Sequence, residues 1–181
     1  KISAETDIDR LLEGFLDIVV RSSGADMGCI IIEKNGELFI EVLKETGSDK
    51  AESKIIPLGE YNGIAKSVVN YVARTLKTIV LNFGDQSGIF AKDSYLKKSN
   101  PKSVACHPLL LHNITFGVLY LENNFLRGVF TPKSIGVVKY LSAQIAYAKI
   151  LQDYISGEIR GEGIEPANNV LPEPLTERET D

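Results

Sequence analysis

Cysteine is scarce in this sequence, and the marks of secreted, membrane-spanning or nucleic-acid-coating chains are missing with it. The 181 residues hold two cysteines, Cys29 and Cys106, each inside an apolar run. A disulfide framework needs more cysteines placed in loops, so these read as reduced core thiols of a cytoplasmic protein. Two histidines, His107 and His112, add too little and too scattered a ligand set for structural zinc. No apolar run approaches the ~20 residues of a membrane helix. There is no signal peptide and no initiator methionine, so the chain reads as an excised fragment whose parent could be tethered elsewhere. The 20 basic residues are scattered among 24 acidic ones for a net charge of −4. Without a concentrated basic face, no direct nucleic-acid binding is expected of this segment.

What is present is the balance of one globular domain with a tail: 44% apolar and 24% charged residues. An amphipathic helix opens the chain. Thr6 is its expected cap, Asp7 and Asp9 suit its positive start, and Ile8, Leu11, Leu12, Phe15, Ile18 and Val19 form one apolar stripe. Ser22-Ser23-Gly24 ends it. Cys29–Glu33 and Leu38–Leu43 form a hairpin around an Asn35-Gly36 turn. Lys44–Lys54 has no periodicity and is expected to be a mobile loop before a short strand at Ile55–Leu58. A helix is expected over about Ile64–Arg74 and a strand at Thr78–Leu81. The long connection Asn82–Lys102 contains one helical turn near Lys92–Lys97; a connection of that length is functional or mobile. Strands Ser103–Leu111 and Phe116–Leu121 flank a tight turn at His112–Thr115. Thr131 caps and Pro132 opens the last helix, where Ile135, Val138, Leu141, Ile145, Ala148 and Ile155 recur at close to 3.5 residues. That period suits packing against another helix as well as against a sheet. Helix, strands, helix, strands, helix predicts an α+β domain with one antiparallel sheet. The domain spans 1–155, a Gly/Pro-rich linker 156–174, and something further starts at 175–181.

Several runs in this order resemble the GAF domain family over roughly residues 6–150. They are Asn70-Tyr71-Val72-Ala73-Arg74-Thr75 with Ile79-Val80-Leu81, then Pro101-Lys102-Ser103-Val104 and Cys106 before Pro108-Leu109. Gly117-Val118-Leu119-Tyr120-Leu121-Glu122-Asn123-Asn124 and Gly128-Val129-Phe130-Thr131-Pro132 close the set. The set is similar to GAF domains of bacterial multi-sensor proteins that join a serine/threonine-kinase-like region, a GAF domain and a histidine kinase. The resemblance implies a six-stranded antiparallel sheet, terminal helices on one face and a loop-covered pocket on the other. It also implies a homodimer through the terminal helices, for which Phe15, Ile135, Val138, Leu141 and Ile145 are the candidates. Pro174-Leu175-Thr176-Glu177-Arg178-Glu179 resembles the opening of LuxR-type helix-turn-helix domains, although a capped polar helix start would read the same way.

The function so implied is a regulatory sensor that binds a small molecule, dimerises, or both, and signals to an attached output domain. The alternative is a degenerate GAF domain that only dimerises and couples. Tyr61, Phe83, Phe90, Tyr95, Ser103 and His107 are the candidate ligand residues; they could equally plug the space in which relatives bind ligand. Cys106-His107 resembles the Cys-His pair that carries the bilin link in phytochromes, but it sits in an apolar strand and reads as packing. Phosphodiesterase-type GAF domains carry an Asp-Glu pair after a Phe, whereas Phe130 is followed by Thr131-Pro132-Lys133-Ser134-Ile135, which speaks against cyclic nucleotide. No bilin, haem, cyclic nucleotide or metal is therefore expected. Catalysis is not expected either, because His107 and Cys106 are adjacent on a strand and point to opposite faces. Glu122-Asn123-Asn124 reads as hydrogen-bonding turn residues.

Overall fold

The computed structural model describes residues 2–82, 88–111 and 114–156. Its first hairpin is fixed by Asn35 and Gly36, both at positive φ (53° and 82°), the turn geometry whose twist matches paired strands. They join β1 (Met27–Lys34) to β2 (Glu37–Lys44), and β3 (Glu52–Pro57) pairs with β2 at the edge. β4 (Ile79–Asn82), β5 (Ser103–Leu111) and β6 (Ile114–Asn123) complete one antiparallel sheet in the order β3-β2-β1-β6-β5-β4. The expected α+β, GAF-like architecture is thus present.

Alternation along the strands divides the core in two. On one face Ile30, Ile32, Val42, Ala105, Leu109, Leu119 and Leu121 pack against α1 (Ile2–Ser23) and α4 (Pro132–Ser156). On the other, Cys29, Ile31, Ile40, Leu43, Val104, Cys106, Val118 and Tyr120 pack against α2 (Lys66–Thr75) and α3 (Ser94–Ser99). Ile40 and Val42 lie on opposite faces despite their spacing, because the ladder shifts between them. Two glycines permit close approach. A Cβ on Gly28 would meet Leu121, Val20 and Leu16 at 2.9–3.2 Å, so the bare backbone lets α1 settle on β1. A Cβ on Gly117 would lie 2.1 Å from the Ile31 carbonyl oxygen, where Gly117 pairs with Ile32 at the end of the β1–β6 ladder, between the two central strands of the sheet.

The helices depart from expectation in instructive ways. α1 begins at Ile2, so Thr6 lies inside it and is no cap. Its buried stripe is Ile8, Leu12, Phe15, Leu16, Val19 and Val20, whereas Leu11 and Ile18 face outward. Thr131 does cap α4, its Oγ1 accepting from Ser134 N at 3.3 Å. The candidate dimer residues Phe15, Ile135, Val138 and Ile145 are buried within the protomer, and Leu141 packs against the same cluster. Phe15, Ile135, Val138 and Ile145 therefore have little surface left to offer a partner, and Leu141 is only partly exposed. Ile155 belongs to α4, but its side chain lies outside the described residues. The segment expected to be a mobile loop, Lys44–Lys54, is instead pinned to α1. Asp17 Oδ1 accepts from Lys44 Nζ at 2.7 Å and from Ala51 N at 3.1 Å, and Glu13 accepts from Ser53 N at 2.8 Å.

Candidate functional site

β6 places Val118, Tyr120 and Glu122 on the face away from the terminal helices. There Glu122 is fully buried, with 0% of its surface exposed. Its Oε2 accepts from the Tyr120 hydroxyl at 2.8 Å and its Oε1 from the Tyr95 hydroxyl at 2.8 Å. Tyr120 is entirely buried too, and its oxygen accepts from Ala65 N at 3.4 Å, at the start of α2. Burial pushes the Glu122 carboxyl up; the hydroxyls of Tyr95 and Tyr120 and the Asn124 side chain pull it part of the way back, and the charge of Asp26 adds to the rise. Burial and the Glu122 charge raise the phenols of Tyr95 and Tyr120. Tyr61, half-buried over Gly63, is pushed up to about 12 by burial and by Cys29, Glu45 and Glu122.

Tyr95 reaches Glu122 from α3, in the connection that covers this face. A second carboxylate, Asp93, ties the cover to α2. Asp93 caps α3 by accepting from Tyr95 N and Leu96 N at 2.9 and 3.0 Å through Oδ1. Through Oδ2 it accepts from Ser67 N at 3.1 Å and Ser67 Oγ at 2.6 Å, in the first turn of α2. Burial acts to raise the Asp93 carboxyl, but the Ser67 hydroxyl and the backbone N–H groups of Leu96, Ser67 and Tyr95 outweigh it, so the net shift is downward. Beside this anchor lies a cleft of about 520 Å³, lined by Ser67, Asn70, Tyr71, Arg74, Ile89 and Phe90. Phe90 forms the wall between cleft and core, its ring edge-on to Tyr71 with centroids 5.4 Å apart.

Of the sequence candidates, Tyr61, Phe90 and Tyr95 gather on this covered face. Phe83 and His112 lie outside the described residues. Ser103 and His107 do not join the group, because they alternate with Val104 and Cys106 and so share a face with Ala105 and Leu109, toward α4. Ser103 Oγ instead donates to Leu126 O at 3.0 Å and ties down the β6–α4 connection. His107 Nδ1 lies 2.7 Å from Thr78 Oγ1, and burial, reinforced by Lys139, lowers its imidazole to about 4. Unfolded histidine titrates near 6.5, so the unfolded chain binds the extra proton first as pH falls. This contribution to stability is complete above about pH 6.5 and is lost between there and about pH 4. Denaturant midpoints for wild type should fall across that window by more than those of His107→Gln. A His107 ring resonance titrating above about pH 6 would contradict the assignment.

Glu122 was not among the candidates, and it is no turn residue. Asn123 and Asn124 do form turn bonds: Asn123 Oδ1 accepts from Phe125 N and Leu126 N, and Asn124 N donates to Asp26. Parity with Tyr120 is the signal that distinguishes Glu122. Cys29 and Cys106 flank Tyr120 from β1 and β5, two strand spacings or about 10 Å apart, beyond disulfide reach. Burial raises both thiols, the opposite of nucleophile activation. Among the described residues, no group of three or more His, Cys, Asp or Glu is placed to hold a metal ion. No helix among them is long and apolar enough to cross a membrane.

One antiparallel sheet thus carries α1 and α4 on one face and, on the other, a covered layer built around the buried Glu122–Tyr120–Tyr95 cluster, an α+β architecture. The GAF domain profile matches residues 7–148, and the chain belongs to the GAF domain family. It is 39% identical over 80 residues to hybrid signal transduction histidine kinase G of Dictyostelium discoideum, a match covering 44% of this chain and 2% of that relative. The chain is therefore a small part of the length of such a protein. Its fold is similar to the GAF domain of an Acinetobacter phosphoenolpyruvate-protein phosphotransferase (TM-score 0.59, 18% identity, 84% of this chain and 87% of that one). It is also similar to the GAF-B domain of DevS from Mycobacterium smegmatis (TM-score 0.56, 17% identity, 85% and 98%). GAF domains of this kind are sensor modules of signal-transduction proteins.

Proposed function

We propose that this domain senses a small molecule on the covered face of its sheet and passes the outcome through α1 and α4 to an output domain of a cytoplasmic signalling protein. The observation that carries the reading is the Tyr95–Glu122 bond. A polar, buried group on the sheet is closed by a side chain from the cover, so occupancy of the chamber and position of the cover are linked. A thermal-shift screen of metabolites tests it: a reproducible stabilisation that Glu122→Gln or Tyr95→Phe alters supports sensing. The reading includes no resident bilin, haem or cyclic nucleotide and no catalytic step, since neither thiol is an activated nucleophile. One observation favours the second reading, a coupling module without ligand. Ile64, Val68, Phe90 and Leu96 already fill much of the chamber.

Under either reading we infer a homodimer, with its interface moved from the candidate residues to the opposite side of α4. Val137, Tyr140, Tyr147, Leu151 and Tyr154 are exposed (Tyr140 66%, Tyr147 54%, Tyr154 62%) and, with Gln144, alternate at steps of three and four. That is the seam of a two-helix coiled coil. Tyr147→Asp with Leu151→Asp is expected to yield a folded monomer by light scattering. An unchanged mass would remove this interface. Val138→Asp with Ile145→Asp would instead unfold the protomer, because both side chains are in its core.

A further inference from the structure

We propose that the chamber takes a small organic cation, an amine or amidinium carried on a flat ring, with Glu122 as its counter-ion and Tyr95 as the group it displaces. The inference rests on the sensing reading above and assigns the chemical class of the ligand.

Charge is the first support. The charge of Asp26 bears on Glu122 and those of Glu45 and Glu122 on Tyr61, and among the described residues the Glu122 carboxyl takes its hydrogen bonds from neutral donors, the Tyr95 and Tyr120 hydroxyls and Asn124. A buried carboxylate in such a field gains most from an added positive charge. Access is the second. The Tyr120 hydroxyl belongs to the sheet and is entirely buried, whereas Tyr95 belongs to α3 in the cover and is only half-buried. When Tyr95 swings away, Oε1 loses its donor and presents a vacant acceptor. Space is the third. The cleft of about 520 Å³ has α2 residues Ser67, Asn70, Tyr71 and Arg74 on one side and Ile89 and Phe90 on the other. Tyr95 follows Phe90 on the same connection, so on this proposal a shift of that connection opens the cleft toward the carboxylate, with Arg74 kept at its outer wall. Tyr61, Tyr71 and Phe90 then offer aromatic faces to a flat cation. The Tyr95 phenol, a ring ending in a hydrogen-bond donor, is the internal stand-in for that ligand.

Benzamidine is the probe, with benzyl alcohol as its neutral and benzoate as its anionic counterpart. Binding is read by NMR titration and thermal shift on the whole chain. Tyr95→Ala empties the stand-in's place and is expected to bind benzamidine at least about tenfold more tightly than wild type. Tyr95→Ala with Glu122→Gln should lose that gain. If Tyr95→Ala is poorly folded, Tyr95→Phe keeps the ring, frees Oε1 and should show the same preference in smaller measure. Equal binding of benzyl alcohol, or benzamidine binding that survives Glu122→Gln, would overturn the assignment by revealing an apolar void only. Benzoate in preference to benzamidine would overturn the charge class and leave sensing standing. No response of any folded variant to benzamidine overturns the inference, and a metabolite screen also without hits takes the sensing reading with it.

Discussion

Gly117→Ala is expected to destabilise the domain by about 3 kcal/mol or more, because a methyl group there meets backbone and not a movable side chain. The added carbon would lie 2.1 Å from the Ile31 carbonyl oxygen and 3.1 Å from the Ile32 Cα. Rotamer changes cannot relieve that contact. β1 and β6 would have to separate at the centre of the sheet, where Gly117 pairs with Ile32 and Leu109. Gly136, in α4, supplies the contrast. Nothing lies within 4 Å of its would-be Cβ, so Gly136→Ala should raise stability by about 0.5–1 kcal/mol. Urea midpoints of the two variants should move in opposite directions. A Gly117→Ala protein as stable as wild type would mean that the two strands do not approach this closely.

Asp17→Ala should have a comparable effect through electrostatics. Asp17 and Lys44 are both largely buried, and removal of the carboxylate leaves the Lys44 ammonium, among the described residues, with the Asp49 carbonyl at 2.9 Å as its partner. Ala51 N–H loses its acceptor at the same time. Breaking a buried pair from one side costs about 3–5 kcal/mol, whereas replacing both members by apolar side chains is often nearly neutral. Asp17→Ala should therefore be far less stable than Asp17→Leu with Lys44→Met. If single and double variants unfold at the same denaturant concentration, the pair contributes nothing that its hydrocarbon replacement does not.

The elements themselves were legible in the sequence because period and punctuation agree. Asn35-Gly36 forces the hairpin, Thr131-Pro132 starts a helix, and the strand runs end at polar or glycine residues. Orientation was not legible. α4 is apolar on two sides, and one side, from Ile135 to Ile145, meets the sheet while the other, from Val137 to Tyr154, does not. Sequence spacing near 3.5 describes both and chooses neither. His107 was misplaced for a related reason: alternation tells which residues share a face, but not which face is covered by which helices. Anchoring Cys106 to the chamber assigns Ser103 and His107 to the other side at once. Glu122 reads as a turn residue in the sequence because it sits where a strand meets a turn, and its neighbours Asn123 and Asn124 do behave as turn residues. Counting back by two to Tyr120 separates it from them. The double role of Asp93, capping one helix and holding the first turn of another, needs two segments brought together in space and leaves no local trace.

Asn123 stands one peptide beyond Glu122 and faces the other way. Its Nδ2 donates to Gly24 O at 2.7 Å, just past the end of α1, while its Oδ1 holds the chain that leads into α4. The buried carboxylate cluster, the segment that leaves α1 and the segment that leads toward α4 are therefore held by consecutive side chains on opposite sides of one strand. A shift of that single backbone unit is expected to be felt on both sides of the sheet at once, since about 3.8 Å of chain separates the two Cα atoms.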